Sequence, residues 1–250
     1  MLRPDGSEVD RIIGFAPPAE YLSELNRIKN GDKTFESLSK RVEEYPDDLE
    51  ATVLLANKYD ERRMYAETRI TWQSVVQLAA DQSEDDLLGR FKIAEAEAMI
   101  DTAAGPLLAY LDEYPESVHL SGVYRRLRRI YYYNQDTLAE AASYKKLVER
   151  EIREGNESPN LLNGYAWRMA QLEQNLEDAL AKIRKAVMLV AEEEAEDRTQ
   201  IMDTEAEVLW KLGRTEEAVS VIDECIKLQP EDEYFGEQRA KFLGAAAAQE

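Results

Sequence analysis

The sequence predicts an all-α solenoid of helical hairpins preceded by a short β-hairpin, and three observations carry that expectation. A spaced pattern returns along the chain: Ala103, Leu107, Tyr110 and Pro115 are separated by 4, 3 and 5 residues, and Ala218, Ile222, Cys225 and Pro230 repeat those gaps. Ala179, Ile183 and Ala186 repeat the first two gaps, as do Thr68, Trp72 and Val75, and, with a lysine in the middle, Ala141, Lys145 and Val148. The first residues of these sets (Thr68, Ala103, Ala141, Ala179 and Ala218) fall 35, 38, 38 and 39 residues apart, a period that marks stacked supersecondary units. Finally, only 8 prolines and 11 glycines interrupt 250 residues, which suits long helices with a core spread along a stack.

Residues 1–30 read differently from the rest. Pro4-Asp5-Gly6 makes a turn within Leu2 to Phe15, and the stretch after it contains Val9, Ile12 and Ile13, which predicts a β-hairpin. Its unpaired edges would pack on the first helices or pair with a second copy of the chain, giving a homodimer. Pro17 and Pro18 suit a helix start, and Tyr21, Leu22, Leu25 and Ile28 form that helix's apolar stripe.

In the repeats, a small residue followed four and then three positions later by larger apolar ones occupies one helix face. Upstream of each such helix stands a partner: Leu55, Ala56 and Tyr59; Phe91 and Ala94; Ala166, Trp167 and Ala170; Ala206, Leu209 and Trp210. Short polar turns such as Gln174-Asn175 and Gly213-Arg214-Thr215 join the partners, with Gly213 suited to a helix C-terminus. Pro46, Pro115 and Pro230 stand where second helices should stop.

These spacings resemble the tetratricopeptide repeat (TPR) family, most closely from Met202 to Pro230 and next from Leu87 to Pro115. The resemblance covers residues 31–245 and leaves a tail at 246–250. It departs from the family in its periods, which exceed the usual 34 or so residues, and in Lys145. It implies a right-handed superhelix of about five to six hairpins that binds a protein or peptide in its concave groove. In such repeats the residue after the close-packed position of each first helix faces the groove. Applied to Ala56, Phe91, Leu127 and Trp167, that rule gives Asn57, Lys92, Arg128 and Arg168. The four suit a carboxylate-rich peptide or a free C-terminal carboxylate, without reproducing the carboxylate clamp of TPR co-chaperones.

A second resemblance lies in residues 1–30. Asp5-Gly6, Glu8-Val9, Arg11-Ile12, Gly14-Phe15, Pro17 and Tyr21-Leu22 resemble the last strands and final helix of a thioredoxin-like domain. That family's cysteine pair would precede this region, so no catalytic residue carries over. The alternative function is the C-terminal part of a disulfide oxidoreductase or redox chaperone whose catalytic half is absent. A plain hairpin that caps the solenoid is the alternative structural reading.

Chemistry-bearing residues are few. One cysteine, Cys225, excludes an internal disulfide and a cysteine-based zinc site, and one histidine, His119, leaves no His-pair metal motif. No catalytic, metal or cofactor site is expected. A net charge of −20 argues against nucleic acid and anionic membrane as partners. No apolar run approaches a membrane span and no signal-peptide pattern opens the chain, so the chain as given is expected to be soluble; its compartment is left open, with the cytoplasm favoured. The acidic stretch Glu192-Glu193-Glu194 with Glu196-Asp197 reads as a solvated inter-repeat loop or helix end. Against the acidic trend, Arg125, Arg126, Arg128 and Arg129 precede Tyr131, Tyr132 and Tyr133. Arg125, Arg126, Arg129 and Tyr132 form a candidate patch for an acidic ligand; arginines paired to local carboxylates, or stacking on nucleic-acid bases, are the other readings.

Overall fold

The computed structural model describes residues 1–191 and 195–247. Its described residues form thirteen helices: α1 (Pro18–Lys29), α2 (Phe35–Glu44), α3 (Leu49–Glu61), α4 (Tyr65–Leu78), α5 (Glu84–Asp101), α6 (Gly105–Glu113), α7 (Leu120–Tyr133), α8 (Thr137–Arg153), α9 (Pro159–Leu172), α10 (Leu176–Leu189), α11 (Ala195–Lys211), α12 (Thr215–Leu228) and α13 (Glu233–Ala247). They gather into two compact units, Met1–Val123 and Tyr124–Glu250. In the first unit α2, α3, α4, α5 and α6 pack consecutively. In the second, α8 to α13 do the same, and α9 also meets α11, two elements on. Neighbour-on-neighbour packing of this kind is how a helical-repeat chain distributes its core.

Two kinds of chain reversal recur, and each has a local cause. Turns within a helix pair end in a left-handed residue at Gly31, Arg63, Thr102, Gln135, Glu173 and Gly213. At all six the backbone closes in the same way, the amide after the left-handed residue donating five residues back, as from Met64 N to Tyr59 O, Asp136 N to Tyr131 O and Arg214 N to Leu209 O. These bonds satisfy carbonyls that the helix end would otherwise orphan. The other kind of reversal precedes proline: Tyr45, Tyr114 and Gln229, the C-caps of α2, α6 and α12, share φ of −133, −127 and −133° with ψ of 76, 61 and 72°. A proline at the next position bars the helical region to the residue before it, so Pro46, Pro115 and Pro230 stop these helices as the sequence predicts. Gly213→Ala, which meets no neighbouring atom but puts a Cβ at φ +76°, is expected to lower stability by about 1–2 kcal/mol. Urea denaturation measures it; an unchanged midpoint would mean that the turn does not need its left-handed residue.

The repeated spacing marks the core. Trp72, Val75, Leu107, Tyr110, Val148, Ile183, Ala186, Ile222 and Cys225 are all buried. Lys145 is half-buried and lies 3.8 Å from Asp178 and 4.0 Å from Glu149. Two details of register differ from the sequence expectation. Ala103 lies in the turn before α6, because Gly105-Pro106 starts that helix two residues later. Trp167 is exposed while Tyr165 and Ala166 are buried, so the packed face of α9 lies on the residues just before it.

The N-terminal β-hairpin is not formed. A single antiparallel bridge joins Leu2 and Glu8 around the Asp5-Gly6 turn, closed by Arg3 N to Ser7 O at 2.9 Å and Val9 N to Met1 O at 3.0 Å. Beyond it Val9 gives its carbonyl to Glu36 N of α2, and Ile12 and Ile13 enter no strand. The reason is electrostatic: the buried residue of the segment is not an aliphatic but Asp10. Its carboxylate accepts from Arg27 Nη2 at 2.8 Å, Lys58 Nζ at 2.9 Å, Arg62 Nη2 at 2.7 Å and the Arg11 amide at 2.9 Å. Side-chain charge, not a strand ladder, fixes this segment to α1 and α3. The strand-edge route to a homodimer thereby loses its physical basis. The helix after it starts at Pro18 as expected, though of its stripe only Ile28 is buried, while Tyr21 and Leu22 are exposed. Glu192, Glu193 and Glu194 lie outside the described residues, as do residues 248–250 of the tail; Glu196 and Asp197 occupy the first turn of α11.

Candidate functional site

Four sequence-derived groove residues separate into two pairs. In the first unit Asn57 is half-buried on α3. Lys92 on α5 is engaged by its own surroundings, donating to Asp60 Oδ2 at 2.6 Å and Glu95 Oε2 at 2.9 Å. Burial depresses its ammonium pKa, but Glu95 and Asp60 more than offset this and leave it raised. Lys92 is therefore not an open donor. In the second unit, by contrast, Arg128 and Arg168 line one cavity.

That cavity has a volume of about 350 Å³ and is walled by Arg125, Arg128, Arg129, Tyr132, Tyr133, Glu140 and Arg168. The helical geometry of α7 explains the wall: residues 125, 128, 129 and 132 follow one another at spacings of three and four, hence on one face. Glu140 comes from the first turn of α8, set by the N-cap of Asp136, whose Oδ1 accepts from Ala139 N at 3.0 Å. Arg168 comes from α9, capped by Ser158 through Leu161 N at 3.2 Å. A neighbouring hollow of about 510 Å³ shares Tyr132, Tyr133, Glu140 and Arg168 and extends to Gln135 and Thr137. The two together give a trough rather than a single pit.

The electrostatics of the wall are unequal. Arg168 donates Nε to Glu140 Oε1 at 2.8 Å and Nη2 to Oε2 at 2.7 Å, with Nη1 to Gln171 Oε1 at 2.9 Å. The bond to Glu140 holds the Arg168 guanidinium pKa above its ordinary value, and its carbon sits 5.1 Å from the Tyr132 ring centre. Arg125 reaches Glu151 Oε1 at 2.6 Å with one nitrogen. Arg128 and Arg129 have no ion-pair partner among the described residues. Arg128 lies over the Tyr144 ring at 4.3 Å and Arg129 beside Tyr133 at 5.7 Å. The Arg128 Nε is shielded from solvent and finds no acceptor. Four arginines thus face one glutamate in a chain with 51 acidic and 31 basic residues. Tyr132 and Tyr133 are 54% and 60% exposed, so the trough offers open rings beside unpaired guanidiniums.

Arg126, placed in the same patch from the sequence, does not line the cavity. Glu140 and Tyr133 complete the cavity wall, and Tyr144 lies under Arg128 outside it; of these only Tyr133, the next aromatic in the run, is legible in the sequence. Away from the trough, Cys225 is buried, with its thiol pushed up to about 12 by desolvation and its Sγ 3.8 Å from Thr199 O. His119 stacks on Phe91 at 5.6 Å, and burial lowers its pKa. Among the described residues no cluster of His, Cys, Asp or Glu could hold a metal ion, and no helix is long and apolar enough to cross a membrane.

No family model matches the chain, and no curated protein matches it. Among solved structures it is similar to a structure of Naa15/Naa10 bound to HypK-THB, at 13% identity and a TM-score of 0.30. The match covers 89% of this chain and 38% of that one. At that level of agreement the neighbour lends nothing to the functional reading.

Proposed function

We infer that the chain is a non-catalytic protein-interaction scaffold of the tetratricopeptide type, whose α7–α9 trough binds an acidic segment of a partner protein. The observation that carries this reading is the unpaired state of Arg128 and Arg129, stacked against tyrosine rings in a molecule with a net charge of −20. A protein with so many carboxylates could readily supply local partners for both. Guanidiniums held over rings keep their N–H donors available, and carboxylates are the acceptors that such forks match best among peptide groups. The redox alternative draws no support from Cys225, because a thiolate is the attacking species and this thiol is buried with a raised pKa.

The test is fluorescence anisotropy with a labelled Glu-rich dodecapeptide. Arg128→Ala combined with Arg129→Ala is expected to weaken binding about tenfold or more, the worth of one lost charge-assisted hydrogen bond. Added salt should weaken the wild-type complex. Arg168→Ala should behave differently: it strands the buried Glu140 and lowers the melting temperature as well as the affinity. Binding that survives the double substitution would refute the assignment.

A further inference from the structure

We propose that the residue read by the trough is a phosphorylated side chain of the partner peptide, a proposal that rests on the acidic-segment reading above. Arg125, Arg128 and Arg129 stand at i, i+3 and i+4 on α7, where neighbouring Cβ atoms are about 5–6 Å apart. All three line the same cavity. One carboxylate carries a single charge and two acceptor oxygens, and one guanidinium fork occupies both. Three guanidiniums on one wall exceed that need. A phosphate monoester presents three terminal oxygens and about −1.5 to −2 charge at pH 7, which matches the array in both number and charge.

The array is also held in place without exhausting its donors. Arg125 is tethered through one nitrogen to Glu151 and its side chain stays 63% exposed. Arg128 lies over the Tyr144 ring and Arg129 beside that of Tyr133, ring contacts that take up no oxygen acceptor. The negative charge within the cavity, on Glu140, is already bound by two nitrogens of Arg168. The source is a peptide rather than a nucleic-acid strand because the basic surface is local. A strand brings a phosphate at every nucleotide, whereas the arginines lining the trough form one cluster suited to a single phosphate.

Three dodecapeptides that differ only in a central phosphoserine, glutamate or serine, within the same acidic flanks, test this by anisotropy, alongside an oligouridylate. The phosphoserine peptide is expected to bind about tenfold tighter than the glutamate peptide. Arg129→Ala should abolish that preference without changing the melting temperature, and Arg129→Lys, which keeps the charge but not the fork, should restore only part of it. Equal binding of the phosphoserine and glutamate peptides would overturn the phosphate proposal and leave the acidic-segment reading intact. Failure of all three peptides would overturn both. Tighter binding of the oligouridylate than of the phosphopeptide would give the trough to nucleic acid and overturn the proposal.

Discussion

Asp10→Ala is expected to destabilise the first unit by about 3–5 kcal/mol, the usual consequence of removing one partner from a buried ionic cluster. The Asp10 carboxylate is 0% exposed and is the shared acceptor for Arg27, Lys58 and Arg62. Without it three cations are left facing one another, and Arg62 is itself 1% exposed. Desolvation alone would raise the Asp10 pKa; the hydrogen bonds from Arg27, Lys58 and Arg62 overcome it and leave the pKa strongly lowered. Glu8 is held down to about 2, chiefly by Arg11, against desolvation and with help from Arg62. Carboxyls depressed in the folded state stabilise it fully above their unfolded pKa values, near 4, and lose that contribution as pH falls through the folded values. The wild type should therefore lose stability as pH drops from about 4 to 2, and the Asp10→Ala variant should show a shallower loss. Urea midpoints across this range measure both effects. Parallel pH profiles for the two proteins would show that Asp10 does not anchor the segment.

Trp72→Ala is expected to cost about 3–5 kcal/mol. The side chain is 0% exposed and packs with Ala56 and Val75 against Leu49, Val53, Leu88 and Ile93. Gly89 on α5 lets that helix close on α4: a Cβ there would lie 2.7 Å from Val76 Cγ2, while the indole Cε3, at 3.4 Å, is at ordinary contact distance. With α3, α4 and α5 all contributing, the cavity left by alanine cannot close by moving one side chain. Trp72→Phe should cost much less, because the indole Nε1 is buried without an acceptor and its removal breaks no hydrogen bond. Denaturant titration of the two variants checks the ranking. Equal, small losses would place Trp72 outside the core.

What was legible in the sequence were features with a local cause. The gaps of 4 and 3 residues mark the buried face of α4, α10 and α12 because helix geometry alone puts those positions together. Pro46, Pro115 and Pro230 end α2, α6 and α12 through the restriction on the preceding residue. The N-terminal hairpin misled because Val9, Ile12 and Ile13 carry β propensity, whereas the segment's position is decided by Asp10 meeting cations 17, 48 and 52 residues away. No local pattern announces such a contact. The site was half legible for the same reason. Arg125, Arg128, Arg129 and Tyr132 share a helix face by spacing, but the capture of Lys92 by Asp60, 32 residues distant, and of Arg168 by Glu140, 28 residues distant, depends on tertiary packing.

Chemical-shift mapping of the ¹⁵N-labelled chain with the Glu-rich peptide tests the assignment of the trough most directly. Peptide addition should shift amides in the later turns of α7, the first turn of α8 and the segment of α9 around Arg168, with the Arg128 and Arg129 side-chain Nε–H signals moving most. Shifts clustered instead around Asn57 and Lys92, or spread without focus over the whole chain, would contradict it.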